Sequence, residues 1–163
     1  FRSRKYTTHQ YRESVKLLRK YLPDVALTTD IIVGFPGETE EEFKQTLEFV
    51  KEIGFSAIHV FPYSPRKGTP AATMEDQIPA KIKSERASKL IKVAKELQYE
   101  FLSQYLNKKV NVLFENNHEE DIYEGHTSNY IKVRVAHNTD CINELKNVKI
   151  TSIEDGVLYG RMG

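Results

Sequence analysis

The sequence predicts a chain of two architectures, an α/β part followed by a small all-β part. In the first part, short β-branched apolar runs alternate with segments whose apolar residues recur at helical spacing. From about Val110 onward, short runs in which every second residue is apolar are separated by polar turns, which is typical of small β-barrels. A chain of 163 residues can hold one domain or two small ones. We therefore expect a boundary near residue 104.

The first helix has a clear start and a clear end. Thr7 with Gln10 forms a capping-box pattern that opens it, and Pro23 ends it. Its expected apolar face consists of Tyr11, Val15, Leu18 and Leu22.

Two further helices follow. Thr39 with Glu42 opens the second, which should reach residue 53 with Gly54 as its cap. Pro79 suits the first turn of a third, longer helix. The apolar seam predicted for this helix is Ala87, Leu90, Ala94, Leu97 and Phe101, and its polar side is Arg86, Lys89, Lys92 and Lys95.

Two strands are expected in the α/β part, at residues 25–33 and 57–61. Alternation in the second strand places His59 and Phe61 on one face and Ile58 and Val60 on the other. A single histidine within a strand is more often structural than catalytic. A sheet of only two strands leaves its edges unpaired, so the first strand should expose an unpaired edge or an apolar side, through which the chain could self-associate.

The most informative stretch is DIIVGFPGET at residues 30–39, which joins the first strand to the second helix. Pro36 presets its own φ and Gly37 tolerates a positive φ, so this pair predicts a type II turn. Such a turn at the carboxyl end of a strand is where α/β folds place ligand-contacting backbone. The ligand should be cationic or neutral rather than a phosphate, because Glu38, Glu40, Glu41 and Glu42 crowd the helix start. A capped connection that binds no ligand is the alternative.

Charge is distributed unevenly along the chain, although the formal net charge is only +1. Residues 79–109 carry eight basic and three acidic groups, whereas residues 110–163 carry five basic and nine acidic ones. The basic middle segment indicates contact with a polyanion, with a solvated helix face as the alternative. The net −4 of the β part argues against strong RNA affinity of that part alone.

Composition sets two further limits. No apolar run approaches the roughly 20 residues of a membrane-spanning helix, so no membrane partner is expected. The single cysteine, Cys141, gives no disulfide framework and fits a reducing cytoplasm.

Several motifs carry a family resemblance. GFPGET at residues 34–39 resembles a segment of the radical S-adenosylmethionine methylthiotransferases, and the similarity continues in RKYT at 4–7 and IHVFPYSPRKGTPAA at 58–72. The pattern from His59 onward is most similar to the branch acting on threonylcarbamoyladenosine in tRNA. The isopentenyladenosine and ribosomal-protein branches are less similar. GHTSNYIKV at residues 125–133 resembles the RNA-binding TRAM domain that ends these enzymes.

The resemblance implies an architecture and a reaction. Residues 1–104 would be the last two strand–helix units of a partial TIM-type barrel, and residues 105–163 a small antiparallel β-barrel of the TRAM type. The intact enzyme would use S-adenosylmethionine and two [4Fe–4S] clusters to add a methylthio group to C2 of a modified adenosine next to the anticodon. The family holds its clusters with cysteine triplets, whereas this chain has one cysteine. We therefore expect a C-terminal fragment with no catalytic or metal-binding residue, no bound cofactor and no activity alone.

Two sets of site residues accompany this interpretation. The set expected to line the S-adenosylmethionine site is Gly34, Phe35, Pro36, Gly37, Glu38, Phe61 and Tyr63. The set expected to contact the tRNA anticodon stem-loop is Arg66, Lys67, Arg86, Lys89, Lys92, Lys95, Tyr130, Lys132 and Arg134. The competing hypothesis is a non-enzymatic RNA-binding module in which the α/β part is a scaffold, and cysteine triplets upstream of residue 1 would decide against it.

Overall fold

The computed structural model describes residues 6–119 and 121–162. Arg4 and Lys5 of the upstream motif lie outside these residues. The α/β part contains α1 (Thr8–Tyr21), β1 (Thr28–Val33), α2 (Glu40–Ile53), β2 (Ala57–Pro62), a short 3-10 turn (Pro70–Thr73) and α3 (Ala80–Ser103). The β part contains β3 (Lys109–Glu119), β4 (Ile122–His126), β5 (Lys132–Ala136), β6 (Leu145–Glu154) and β7 (Val157–Met162). The predicted fold class, α/β followed by a small barrel, is confirmed.

In the α/β part, β1 and β2 form a two-stranded parallel sheet in which Asp30 lies opposite His59 and Ile32 opposite Phe61. One face of this sheet packs against the helices, and its core includes Val33, Phe43, Val50, Ile53, Phe55 and Leu90. The other face is open: Ile32 and Phe61 are each 51% exposed. The expectation of an exposed apolar side on the first strand is confirmed.

Local signals predicted the helix ends well. Both capping boxes are present, and Gly54 ends α2 with a φ of 64°. The apolar face predicted for α1 is wrong in its second half, because Leu18 and Leu22 are 42% and 55% exposed. Of the four residues predicted for this face, Tyr11 and Val15 pack against the core.

The β part is a closed five-stranded barrel with the strand order β3-β4-β5-β7-β6. Four of its pairs are antiparallel, and β5 with β7 is parallel. Its core includes Val112, Phe114, Val133, Val135, Val148, Ile150 and Leu158. The expectation that a polar turn follows each alternating run is wrong for residues 115–119, because β3 continues to Glu119. Residues 115–119 are exposed and interrupted by register shifts, so they lack the alternation that marks a half-buried strand.

Helix α3 belongs to both cores. Leu90 and Leu97 pack with the α/β core, whereas Leu102 and the following Tyr105 pack with the barrel core. The two parts are therefore joined by a continuous helix rather than by a linker. Among the described residues, no helix has both the length and the apolar character needed to cross a membrane.

Candidate functional site

The GFPGET stretch forms the predicted turn at the carboxyl end of β1. The amide of Glu38 donates to the carbonyl of Phe35 at 2.9 Å, and Gly37 has a φ of +79°, so residues 35–38 form a type II turn around Pro36. The amide of Gly37 donates to the carbonyl of Asp76 at 2.8 Å. The turn is thus held from the connection that precedes α3.

Two aromatic residues lie beside the turn. The amide of Tyr63 donates to the carbonyl of Val33 at 2.8 Å, which joins the carboxyl ends of the two strands. The ring of Phe35 meets that of Tyr63 edge to face, with 5.2 Å between centroids. The hydroxyl of Tyr63 is buried and has no hydrogen-bond partner among the described residues. A ligand at this edge would therefore meet an aromatic pair.

The open face of the sheet continues from this edge. Its side chains come from facing positions of β1 and β2: Asp30, Ile32, His59 and Phe61. The alternation predicted for β2 is confirmed, since His59 and Phe61 are exposed while Ile58 and Val60 are partly buried. This face combines apolar surface with one carboxylate and one imidazole.

Glu38 and Arg86 form a buried ion pair behind the turn. Arg86 Nη1 lies 2.5 Å from Glu38 Oε1, and the two side chains are 7% and 16% exposed. The same carboxylate oxygen accepts the amide of Gly34 at 3.0 Å. The prediction that Arg86 lies on the polar side of α3 is wrong, because the charge of Glu38 draws it inward. Arg86 is therefore removed from the residues expected to contact RNA phosphate, because its guanidinium is buried and already paired with Glu38.

Sequence analysis missed Lys83, which lies one helical turn before Arg86. Lys83 Nζ donates to the carbonyl of Tyr63 at 3.1 Å. Its aliphatic stem fills the space over Gly34, where an added Cβ would come within 2.2 Å of Lys83 Cγ. The i, i+3 spacing puts Lys83 and Arg86 on neighbouring helix positions, but Lys89 and Lys92 continue the same spacing, so no local signal singled out Lys83.

The other predicted cations of the α/β part are accessible. Lys89, Lys92 and Lys95 are exposed on α3, and Arg66 and Lys67 are exposed in the loop after β2. None of these five has an ion-pair partner among residues 6–119 and 121–162. Their charges are therefore available to an anionic partner.

On the barrel, Lys132 and Arg134 are not free charges. Both pair with Glu124, at 3.0 Å and 2.8 Å, and Arg134 also donates to the Tyr159 hydroxyl at 3.3 Å. Burial opposes ionisation of Glu124, but the hydrogen bonds from Lys132 and Arg134 outweigh it and hold the pKa of the carboxyl below its ordinary value. Because Glu124 was not predicted, the sequence overstated the positive charge that this strand pair offers to RNA.

Tyr130 lies at the tip of the turn between β4 and β5. It is 88% exposed and has a φ of +63°. The conformation is fixed by a hydrogen bond from its amide to the carbonyl of Thr127, at 2.9 Å. Next to it, Asn129 donates to the carbonyl of Asp24 and to the hydroxyl of Tyr105, which ties the turn to the α/β part. An open groove of about 600 Å³ runs along this seam.

The donor set does not fit an iron–sulfur cluster. Cys141, the sole cysteine, is buried in the barrel core, where burial raises the pKa of its thiol. Within residues 6–119 and 121–162, no group of three or more His, Cys, Asp or Glu side chains is arranged to hold a metal ion. A cluster would need thiolates from outside this chain.

Comparison with known proteins gives the class first. Residues 1–50 match the model of the radical SAM superfamily. The chain is thus related to enzymes of that superfamily in the part that contains α1, β1, the GFPGET turn and most of α2.

More specific similarity extends through the barrel. The chain is 46% identical to the threonylcarbamoyladenosine tRNA methylthiotransferase MtaB of Bacillus subtilis over 90% of its length, which is 34% of that protein. It is also similar to the tRNA-2-methylthio-N(6)-dimethylallyladenosine synthases of Geobacillus kaustophilus, at 40% identity, and Alkaliphilus oremlandii, at 42%. Both alignments cover 98% of the present chain. Those alignments cover 30% and 34% of the relatives, so the chain spans about a third of the length of the proteins it matches. The resemblance to the radical S-adenosylmethionine tRNA methylthiotransferases is confirmed.

Proposed function

We propose that this chain is the C-terminal part of an enzyme that adds a methylthio group to C2 of a modified adenosine next to the anticodon of tRNA. The observation that carries the proposal is the similarity to tRNA methylthiotransferases along nearly the whole chain. Threonylcarbamoyladenosine is the favoured substrate, because the relative named for it is 46% identical and the relatives named for dimethylallyladenosine are 40–42% identical.

The α/β part and the β-barrel have different roles in this proposal. Residues 1–104 form part of the wall of a partial TIM-type barrel, and residues 105–163 form a TRAM-like barrel that binds RNA. S-adenosylmethionine, when bound, supplies the radical chemistry and the methyl group, and both clusters are held outside this chain. The setting is the cytoplasm, where tRNA is the substrate.

Residues at the carboxyl edge of the sheet fit an adenosyl ligand. The exposed Ile32 and Phe61 offer an apolar surface for a base, and the backbone at the exposed Gly37 can approach a ligand closely because it carries no side chain. Asp30, exposed beside them, provides a carboxylate for a sugar hydroxyl or a cationic group. Phe35 and Tyr63, whose rings meet edge to face, close the edge.

The proposed RNA surface consists of the exposed cations of α3 and of the loop after β2, together with Tyr130 at the barrel tip. Lysines and arginines along one face neutralise phosphates, and an exposed tyrosine provides a stacking surface for an unpaired base. Lys132 and Arg134 contribute less than their number suggests, because both share the carboxylate of Glu124.

The experiment is a modification assay with the cluster-loaded protein that contains this chain. It is given anticodon stem-loops with threonylcarbamoyladenosine or with isopentenyladenosine, and the digested nucleosides are analysed by mass spectrometry. A mass gain corresponding to a methylthio group on threonylcarbamoyladenosine supports the proposal. A mass gain only on isopentenyladenosine would mean that isopentenyladenosine is the substrate instead. No mass gain on either nucleoside favours the non-enzymatic RNA-binding module.

Inactivity of residues 1–163 alone is a separate part of the proposal. After anaerobic reconstitution with iron and sulfide, this chain should retain both near background, because a four-iron cluster needs several thiolates and the chain has one cysteine. The complete protein reconstituted in parallel is the control. Stoichiometric iron and sulfide on residues 1–163 would contradict this part.

A further inference from the structure

A buried arginine from α3 contacts the GFPGET turn. Arg86 Nη1 donates to the carboxylate of Glu38 at 2.5 Å and to its backbone carbonyl at 2.9 Å. That carboxylate accepts the amide of Gly34, so one oxygen joins α3, the end of β1 and the turn. Rotating the Glu38 side chain away would break both its hydrogen bond from the amide of Gly34 and its ion pair with Arg86.

The surroundings of Arg86 indicate that its main role is to hold the turn in position rather than to stabilise the fold. Its Nε is buried and has no hydrogen-bond partner among the described residues, which is an unfavourable state for a polar atom. A buried ion pair also contributes little net stability compared with a well-packed apolar pair. The ring of Phe43, 5.5 Å from the guanidinium, and the carboxylate of Glu40, 3.5 Å away, fix its position further. The fold tolerates an unsatisfied atom and still directs Nη1 to the turn.

Lys83 supports the same turn from the next position on that helix face. Its stem packs against Gly34, and its ammonium group donates to the carbonyl of Tyr63 and lies 5.6 Å from the Tyr63 ring centroid. The first turns of α3 thus hold the loops that follow both β1 and β2. These loops bring together the residues proposed to meet the cofactor.

We infer that Arg86 is a positioning residue for adenosyl-ligand binding. It acts through Glu38 and holds the backbone of residues 34–38 in the arrangement that contacts the ligand, without touching the ligand itself. The inference rests on the proposed function, because it takes the turn to be part of the S-adenosylmethionine site.

The first measurement is hydrogen exchange of the backbone amides at residues 33–39 in the full chain. Arg86→Lys keeps the charge but loses the forked geometry, and the double variant Arg86→Met with Glu38→Gln removes both buried charges so that neither is left unpaired. Exchange at residues 33–39 should rise in both variants, while exchange in β6 should stay unchanged. Glu96→Gln, an exposed change on the same helix, is the control and should leave both regions unchanged.

The second measurement is the affinity of the cluster-loaded protein for S-adenosylmethionine, by equilibrium dialysis. Arg86→Lys and the double variant should raise the Kd about tenfold, the lower end of what loss of a supporting partner behind a bound group costs. Glu96→Gln should leave the Kd unchanged. Gly37→Ala, which alters the turn itself, should also raise it.

Each outcome decides the inference. Faster local exchange together with weaker binding in both Arg86 variants supports it. Unchanged exchange overturns it, because the turn is then held without Arg86. Faster exchange with unchanged Kd overturns it as well, and the proposed function survives if Gly37→Ala weakens binding. If Gly37→Ala also leaves the Kd unchanged, the cofactor placement fails and the inference fails with it.

Discussion

Three glycines with a positive φ differ in how much stability a change to alanine should cost. Gly34, Gly37 and Gly68 have φ values of +69°, +79° and +86°, so alanine is disfavoured at each by about 1 kcal/mol. Their surroundings differ: an added Cβ finds nothing within 4 Å at Gly68, reaches only 4.0 Å from Asp76 at Gly37, and lies within 2.2 Å of Lys83 Cγ at Gly34. Urea denaturation should therefore rank Gly34→Ala as the most destabilising, with the other two similar. Equal losses at all three would show that Lys83 moves aside freely.

The carboxyl of Glu124 should make barrel stability depend on pH. Its pKa is lowered in the folded state from an ordinary value of 4.5, so its stabilisation is complete above that value and is lost as the pH falls through the folded pKa. At pH 7, Glu124→Gln should destabilise the chain by about 1–2 kcal/mol, because two cations lose a charged partner. In urea denaturation at pH 3 the difference from the unmodified chain should shrink.

The control for this pH series is Glu154→Gln, a change at an exposed carboxylate. It should lower stability very little at either pH. If Glu124→Gln costs the same at pH 3 as at pH 7, the effect comes from packing rather than from ionisation.

At the scale of elements, the proposed RNA contact of α3 can be tested through its exposed lysines. Each phosphate contact adds about 0.7–0.9 to the slope of log affinity against log salt concentration. Reversing the exposed Lys89 and Lys92 to Glu should therefore flatten the slope for an anticodon stem-loop by about two contacts. Alanine at both Lys132 and Arg134 should flatten it less, because Glu124 already compensates their charge.

The matched control for α3 is reversal of Lys16 and Lys20 to Glu on α1, which changes the net charge equally on another helix. If the slope responds to the barrel variant alone, the α3 face is only solvated and recognition belongs to the barrel. A response to none of the three would place the RNA affinity outside this chain.

The elements also show what could be predicted from sequence and what could not. The capping boxes at Thr7 and Thr39 involve residues three positions apart, so a local pattern contains all the information. The partner of Arg86 lies 48 positions away, and nothing near Arg86 in the sequence distinguishes it from its exposed lysine neighbours. In the barrel, the outer end of β3 was missed because it is exposed on both faces, which removes the alternation that identifies strands.

For the whole molecule, the open face of the β1–β2 sheet determines how the chain behaves in isolation. Among the described residues each strand pairs only with the other, and the exposed face carries Ile32 and Phe61, both half exposed. Apolar side chains next to unpaired strand edges favour association, because both can be satisfied by a second chain. We expect residues 1–163 to self-associate at high concentration, measured by sedimentation velocity over a dilution series.

Substitutions on the open face can separate its role from that of other exposed apolar residues. Ile32→Lys with Phe61→Lys should shift the chain to monomer, because the charges must be desolvated for the faces to meet. Leu17→Lys, at a position 58% exposed on α1, is the control and should leave the association unchanged. If the double variant still associates, the strand edges are responsible rather than the face. If the unmodified chain is monomeric at every concentration, the two strand–helix units are self-sufficient in solution, and the exposed apolar face must be explained by its proposed role in binding the adenosyl group alone.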